Sequence, residues 1–560
     1  MQLIDTALRM GLRHAVLSPG ARNTPLVLAL HDAKESGKSI TLHSVIDERA
    51  AGFFALGIAR RTDTPVLLSC TSGSAAANYF PAIVEASEGQ VPLLVVTADR
   101  PEELQDCGSP QTMPQKDLYG SHVRSSISLN APSDSNDIKS IAQATAAAWQ
   151  ASTSNHPGPS HINLRFRKPL WSPETDDFNP IVLDSLPKPK PSPKPEEISR
   201  FLKETEGKRG VIVVGTDPSQ RINSDAIIEM AKRLGWPILS DPINGLRFGA
   251  TGPIVRHHDA MLRSEQFVET YTPDVAIVMG GTTSSRPLEE MLRSTKSLAI
   301  KQSKRPWNPW GSVEWSLGCT PSELVKALST QAIESSPDGW LDGWLKADHA
   351  AKTAIQIQCK DELWEGSIAH HLVAKLTDNT LLRVASSMPI RDIDSFAVDN
   401  GVPLSVSSNR GVNGIDGTIA TTFGEAFVHH GPTAALMGDL SFLHDSSALL
   451  TTPHPRHPTV ITIVNNGGGG IFGFLPMKNH QTGFKPWYVT PHQHDIGAIC
   501  SAAGITTFEP TSLNGYVDAL DQALHSSGVT VIHVRVDREF STQRHFEAWA
   551  SICDAVEAKL

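Results

Sequence analysis

Two short stretches late in the chain carry the residue types that hold a metal-bridged diphosphate. Gly438-Asp439-Leu440-Ser441 follows the apolar run 433–437, and Asn465-Asn466 with the glycines 467–470 follows the run 460–464. An aspartate at one strand end and an asparagine at the next supply hard oxygen ligands of the kind Mg²⁺ takes. The glycine run frees backbone carbonyls and lets amides approach phosphate oxygens closely. Singly, each stretch is ordinary turn chemistry, since Gly-Asp and Asn-Gly are common turn dipeptides. Together, one helix and one strand apart, they favour a diphosphate–magnesium site at the carboxyl edge of a sheet, where open α/β sheets bind ligands.

Such turns need a parallel sheet behind them, and the chain supplies its grammar three times. Short apolar runs at 15–17, 65–68 and 91–96 end at Ser18, Ser69 and Thr97, with a helical pattern over 75–85 between the last two. The pattern restarts with a strand and turn at 210–215, a helix over 224–234 and a strand with a glycine turn at 275–281. It restarts again with a helix over 368–376, an extended segment at 380–384 and strands at 433–437 and 460–464. Continuous apolar strands alternating with helices indicate parallel sheets covered on both faces. The alternating prolines at 186–195 remove amide donors and read as a semi-rigid connector. The expected fold is three doubly wound α/β domains: 1–185, a Pro/Lys-rich linker 186–199, a middle domain 200–350, and 351–560.

Composition sets limits. The chain has 560 residues, of which 40% are hydrophobic and 19% charged, a balance able to fill several cores. A formal net charge of −10 argues against a nucleic-acid backbone binder, which shows a basic excess. No run of 18 apolar residues exists to span a membrane, and residues 1–20 show no signal-peptide pattern, so a cytoplasmic protein is expected. The six cysteines are scattered without a Cys-x-x-Cys pair, which argues against a disulfide scaffold or structural zinc. The histidine pairs 257–258, 370–371 and 429–430 are adjacent in sequence, so their side chains diverge and do not readily share a metal. No complete G-x-G-x-x-G follows the middle-domain strands, and no flavin is expected there.

Gly-Asp-x-Ser at 438–441, followed 26 residues on by Asn-Asn-Gly, resembles the thiamine-diphosphate signature of the decarboxylase and carboligase superfamily. More narrowly, the segments 18–26 (Ser-Pro-Gly-Ala-Arg-Asn-Thr-Pro-Leu), 47–52 (Asp-Glu-Arg-Ala-Ala-Gly) and 97–102 (Thr-Ala-Asp-Arg-Pro-Glu) resemble one family within it. So do 387–392 (Ser-Met-Pro-Ile-Arg-Asp), 409–417 (Asn-Arg-Gly-Val-Asn-Gly-Ile-Asp-Gly) and 465–476. That family is the 2-succinyl-5-enolpyruvyl-6-hydroxy-3-cyclohexene-1-carboxylate (SEPHCHC) synthases of menaquinone and phylloquinone biosynthesis.

The resemblance implies pyrimidine-binding, middle and diphosphate-binding domains in that order. It implies a thiamine-diphosphate-dependent transferase that decarboxylates 2-oxoglutarate and adds the succinyl carbanion to isochorismate in a 1,4-addition. It assigns Glu48 to the cofactor's aminopyrimidine, and Asp439, Asn466 and the carbonyl of Gly468 to Mg²⁺, for which Mn²⁺ can substitute. Gly438, Leu440 and Ser441 would contact the diphosphate, Ile415 would bend the cofactor, and Ile471, Phe472 and Leu475 would line its pocket. Ser387 and Arg391 would face the part derived from 2-oxoglutarate, with Arg410 in the same catalytic region. Arg22, Arg100 and Gln111 would face isochorismate, with Arg286 as one further cation. Guanidinium forks suit such substrates because they pair bidentately with carboxylates and stay charged. Ala21, Ser386 and Pro287 depart from residues common in the family, mostly on the isochorismate side. His444 follows the signature closely enough to line the site. The resemblance also implies a homodimer or dimer of dimers, with each cofactor between the first domain of one subunit and the third of another. Two alternatives stay open from the residues: a thiamine-diphosphate-dependent decarboxylase or carboligase with another acceptor, and a non-catalytic nucleotide-binding α/β protein.

Overall fold

The computed structural model describes residues 1–131, 135–171, 181, 192–217, 219, 221–301 and 307–560. Three six-stranded sheets, parallel throughout, form the framework of an α/β protein. The first runs in the order Thr41–Ser44, His14–Ser18, Val66–Cys70, Leu93–Asp99, Pro159–Arg165, Ser126–Leu129. The third runs Ser405–Ser407, Leu381–Val384, Thr433–Gly438, Thr459–Asn465, Val529–Arg535, Thr506–Phe508. Numbered within each sheet, both follow 2-1-3-4-6-5. The middle sheet runs Val313–Leu317, Ser297–Ile300, Val275–Met279, Gly210–Val214, Ile238–Ser240, Ile254–Val255, which is the 3-2-1-4-5-6 order read from its far edge.

The strands are apolar along their length because helices cover both faces. Gly210–Val214, Val275–Met279 and Leu93–Asp99 are buried at every position. Helix starts are fixed by side-chain caps, each contributing about 1 kcal/mol: Asp47 accepts from the amides of Arg49 and Ala50, and Ser285 from that of Leu288. The chain divides into two compact units. One comprises Met1–Lys188, Asn409–His430 and Ser441–Arg456; the other comprises Pro189–Ser408, Gly431–Leu440 and His457–Leu560.

Within the first unit, the helices Glu48–Thr62 and Thr418–Val428 meet backbone to backbone. A Cβ on Gly57 would lie 2.4 Å from the Thr421 carbonyl oxygen, and one on Gly424 2.1 Å from that of Phe54, so only glycine permits the approach. The Arg60 guanidinium is buried in this contact. It pairs with Glu85 and Glu425, each at 3.4 Å, and donates to Asn409 Oδ1 at 2.9 Å. Leu17, Leu67, Leu94, Val96, Ile162 and Trp149 belong to the core under the first sheet.

Within the second unit, the middle and third sheets have their own cores and share a further one. Val213, Val278, Trp344, Trp364, Phe396 and Ile552 belong to that shared cluster. Arg247, fully buried, donates to the Asp394 carbonyl at 2.7 Å and lies 3.6 Å from its carboxylate.

Two expectations need correction. The pattern over 75–85 is two helices, Ser74–Asn78 and Phe80–Glu88, joined at Tyr79, because Pro81 has no amide to continue the ladder. Residues 195–199 of the expected linker open the helix Pro195–Thr205, where Pro195 stands at its start and Glu196 and Glu197 occupy the first turn. Positions 186–191 of that linker lie outside the described residues.

Candidate active site

In the third sheet the strand order reverses between Leu381–Val384 and Thr433–Gly438. Chains leaving neighbouring strands there turn to opposite faces, so a crevice opens at the carboxyl edge. The first strand leads into Ser387 and Arg391, the second into Asp439, and the adjoining Thr459–Asn465 into Asn466 and Gly468.

The loops are tied to one another through Asp439. Its Oδ2 accepts the Gly468 amide at 2.8 Å and His492 Nε2 at 3.0 Å, and its Oδ1 accepts the Leu440 amide at 2.7 Å. Burial pushes the Asp439 carboxyl up, opposed by these donors. The Asn466 Nδ2 donates to Glu365 Oε1 at 2.7 Å, while Asn466 Oδ1 is buried without a partner among the described residues. Gly468 has φ +135°, and a Cβ there would sit 2.1 Å from the Val489 carbonyl oxygen. Its own carbonyl accepts one hydrogen bond, from the Gly470 amide at 3.0 Å, which leaves a second lone pair. A carboxylate, an unpartnered amide oxygen and a backbone carbonyl form a hard-oxygen set, so these residues fit a divalent cation with a diphosphate.

Around this centre, Ile471, Phe472 and Leu475 are half-buried in and after the short helix Gly470–Phe474, with Phe472 against the Tyr488 ring. Gly438 and Leu440 are likewise half-buried. Ser387 holds φ +78°, a strained value for a side-chain-bearing residue, and its carbonyl accepts from Arg391 Nη1 at 2.7 Å. Behind the loops lies a buried cluster, Glu365, Asp392 and His545, whose ligand atoms fall within 4.8 Å of one another. Burial and the neighbouring Asp392 raise Glu365 to about 7. Burial opposes protonation of His545, but Asp392 and Glu365 prevail and raise it.

Other expected residues fall in the first unit. Ser441 is buried, and its hydroxyl reaches Thr418 Oγ1 at 3.0 Å and the Ile415 carbonyl at 3.2 Å. Glu48 is half-buried in the first turn of its helix. The residues flanking it are clamped: Asp47 Oδ2 accepts from Ser447, and Arg49 donates to the His444 carbonyl at 3.1 Å. Arg410 sits between Asn409, held by Arg60, and Gly411 and Val412, whose amides both donate to the Glu85 carboxylate at 2.9 Å.

The first sheet reverses its order between His14–Ser18 and Val66–Cys70; Arg22 follows the first of these strands, and Arg100 and Gln111 follow the neighbouring Leu93–Asp99. Buried Arg22 donates its amide to Thr71 Oγ1 and its Nη1 to the Phe166 carbonyl at 2.7 Å. Burial, then the charge of Arg100, pulls Arg22 below the usual guanidinium value. Gln111 and Ser72 exchange two hydrogen bonds, and Arg100 donates to the Pro110 carbonyl at 3.1 Å. Arg286 is apart from these groups in kind: 75% exposed, it opens a middle-sheet helix and pairs with Glu290 at 2.9 Å. At the middle sheet's own reversal the Gly281 amide donates to the Thr216 carbonyl at 2.8 Å, closing those two loops on each other.

Sequence reasoning missed Glu365, Asp392, His545, His492, Arg60 and Glu85. Asp392 closes the segment 387–392 but carried no assigned role there; the other five belong to no motif, and the Glu365–Asn466 bond joins residues 101 positions apart. A buried acid at the start of a helix looks in sequence like any dipole-complementing residue.

Comparison with known proteins defines the class. Family models for the thiamine pyrophosphate enzyme N-terminal domain, middle domain and C-terminal domain match residues 1–121, 190–384 and 405–534. Benzoylformate decarboxylase from Polynucleobacter necessarius has the same fold, with a TM-score of 0.70 at 16% identity, over 96% of this chain and 98% of that one. The chain is thus built as a thiamine-diphosphate-dependent enzyme.

Closer relatives narrow it. SEPHCHC synthases from Listeria monocytogenes serotype 4b and Geobacillus thermodenitrificans are each 34% identical over 99% of this chain, covering 97% and 96% of the relatives. The synthase from Myxococcus xanthus is 33% identical over 98% of this chain and 96% of its own length. The chain belongs to the SEPHCHC synthase family.

Proposed function

We propose that the chain catalyses the reaction of its family: 2-oxoglutarate loses carbon dioxide, and the remaining succinyl unit is joined to isochorismate in a 1,4-addition. The observation that carries this reading is the tie between Asp439, Gly468 and the open Oδ1 of Asn466 at the reversal of the third sheet. When bound, thiamine diphosphate supplies a carbon nucleophile at its thiazolium ring.

The chain's own residues bind, orient and move protons. Asp439, Asn466 and the Gly468 carbonyl would hold Mg²⁺ or Mn²⁺, while Gly438, Leu440 and Ser441 would meet the diphosphate. Glu48 would exchange a proton with a ring nitrogen of the aminopyrimidine, a task contributing about 10²–10⁴-fold in rate. Ile415, Ile471, Phe472 and Leu475 would exclude water, which favours a step that removes a charged carboxylate. Ser387, Arg391 and Arg410 would hold the carboxylates from 2-oxoglutarate, and Arg22, Arg100 and Gln111 those of isochorismate. Arg286, paired with Glu290, would be a further cation on that side.

In this reading 1–185 is the pyrimidine-binding domain, 200–350 the middle domain and 351–560 the diphosphate-binding domain. A second copy of the chain completes each site, in a homodimer or dimer of dimers. In support, the first unit exposes Ile46, Val412 and Leu450, apolar side chains that a partner would cover. Six unpaired cysteines suit a reducing cytoplasm.

The test is one reaction: purified protein, Mg²⁺, thiamine diphosphate, 2-oxoglutarate and isochorismate, followed by mass spectrometry. The adduct is expected. Release of succinic semialdehyde without adduct would transfer the chain to a carboligase with another acceptor.

A further inference from the structure

The Asn466 side chain poses a problem of orientation. Its amide has two ends of nearly equal shape, and only the oxygen suits a hard cation; the NH₂ end would present protons to it. Glu365 is 5% exposed and places Oε1 2.7 Å from Asn466 Nδ2. In its ionised form Glu365 accepts and does not donate, so it selects the NH₂ end, the arrangement the structure holds, and leaves Oδ1 unengaged. That Oδ1 is the buried atom without a partner. Turning the amide over would set oxygen against oxygen and aim the NH₂ at the cation position.

We infer that Glu365 is a positioning residue, which fixes the Asn466 amide with its oxygen toward the metal. The inference rests on reading Asn466 as a metal ligand. Glu365 is itself held: its backbone amide donates to Ser541 Oγ at 3.3 Å, and its carboxylate lies in the buried cluster with Asp392 and His545. His545 is locked at both ring nitrogens, Nε2 on Asp392 Oδ1 at 2.8 Å and Nδ1 on the Ser541 carbonyl at 2.7 Å. With both nitrogens engaged, His545 ties Asp392 to Ser541, the residue that also holds the Glu365 amide, and the cluster acts as a brace rather than a second cation site. Asp392 lies next to Arg391 on the helix Met388–Phe396, so one brace supports both the Asn466 side chain and the helix carrying a substrate arginine.

The experiment measures Mn²⁺ binding to the full-length protein with saturating thiamine diphosphate, by the electron paramagnetic resonance signal of free Mn²⁺. Glu365→Gln keeps an acceptor oxygen at the same place and is expected to bind within threefold of the parent. Glu365→Met keeps the volume but removes the acceptor; a loss of about 10- to 100-fold is expected, the range for outer partners of metal ligands. Asn466→Asp sets two carboxylates against each other and is expected to bind weakly. Adding Glu365→Gln to it supplies an NH₂ for the new carboxylate and should restore at least tenfold. A role in packing alone would not produce that rescue. Glu365→Met binding within threefold of the parent would overturn the inference, as would Glu365→Gln falling as far as Glu365→Met, or absence of rescue in the double variant. Should Asn466→Ala bind Mn²⁺ like the parent, the assignment of Asn466 as ligand is what fails.

Discussion

Replacing Gly468 by alanine is the most direct trial of the loop geometry. The new Cβ would lie 2.1 Å from the Val489 carbonyl oxygen and 3.1 Å from its carbon, whereas ordinary contact begins near 3.4 Å. The two backbones must therefore separate by more than an ångström. That movement removes the Gly469 amide bond to the Val489 carbonyl (2.7 Å) and the Gly468 amide bond to Asp439 (2.8 Å). The first contributes about 1 kcal/mol and the second, made to a carboxylate, about 1.5–3 kcal/mol. Alanine at φ +135° adds about 1–3 kcal/mol of strain. Part of this total is relieved by local rearrangement, but loss of even about 3 kcal/mol weakens cofactor binding roughly 100-fold. Gly467→Ala is the control. It too has positive φ, +74°, but nothing lies within 4 Å of its Cβ, so only strain applies and a loss of about tenfold or less is expected. Calorimetric titration of thiamine diphosphate with Mg²⁺ measures both, with circular dichroism to confirm the fold. Gly468→Ala binding within threefold of the parent, or no worse than Gly467→Ala, would refute the reasoning.

Glu48→Gln should lower kcat by about 10²–10⁴-fold while cofactor affinity, measured by the same calorimetry, changes less than tenfold; full activity would remove Glu48 from proton exchange. Glu85→Leu leaves the buried Arg60 charge with Glu425 as its remaining carboxylate and frees the Gly411 and Val412 amides, a loss of about 3 kcal/mol, read as faster thermal inactivation and a raised KM for 2-oxoglutarate. Burial against Phe54 and Phe427, then His14, lowers His43 to about 3, so below pH 6.5 the unfolded chain binds a proton the folded one refuses. Stability falls as pH drops from 6.5 toward 3, by about 2 kcal/mol at pH 5 from this group, and His43→Leu should flatten that part of the denaturation profile. An unchanged slope in the variant would show that His43 titrates normally.

The strands were legible because a parallel strand covered on both faces is a continuous apolar run, as at 210–214 and 460–464. The Asp439 and Asn466 turns were legible for a related reason: each follows such a run, and topology then brings adjacent strand ends together. The break at Tyr79 was hidden within a continuous apolar pattern, although Pro81 marked it. Glu365 was not legible at all. Its meaning lies in a single bond to a residue 101 positions away, and no periodicity encodes such a pairing. The same holds for Arg60, which sits near the end of a helix like any basic residue in a last turn and is paired with Glu425, 365 positions away.

That closure has a temporal side. Arg60 needs Asn409 and Glu425, which are 349 and 365 residues further along. At about 5–20 residues per second, a ribosome takes from some twenty seconds to over a minute to deliver them. During that interval the nascent amino-terminal segment holds a cation without its full complement of counterions, and a glycine-lined helix face without its cover. It can collapse around its sheet, but it cannot lock until two late segments have been synthesised. Severing the gene after the first 188 codons would therefore yield a fragment that waits for a partner never made.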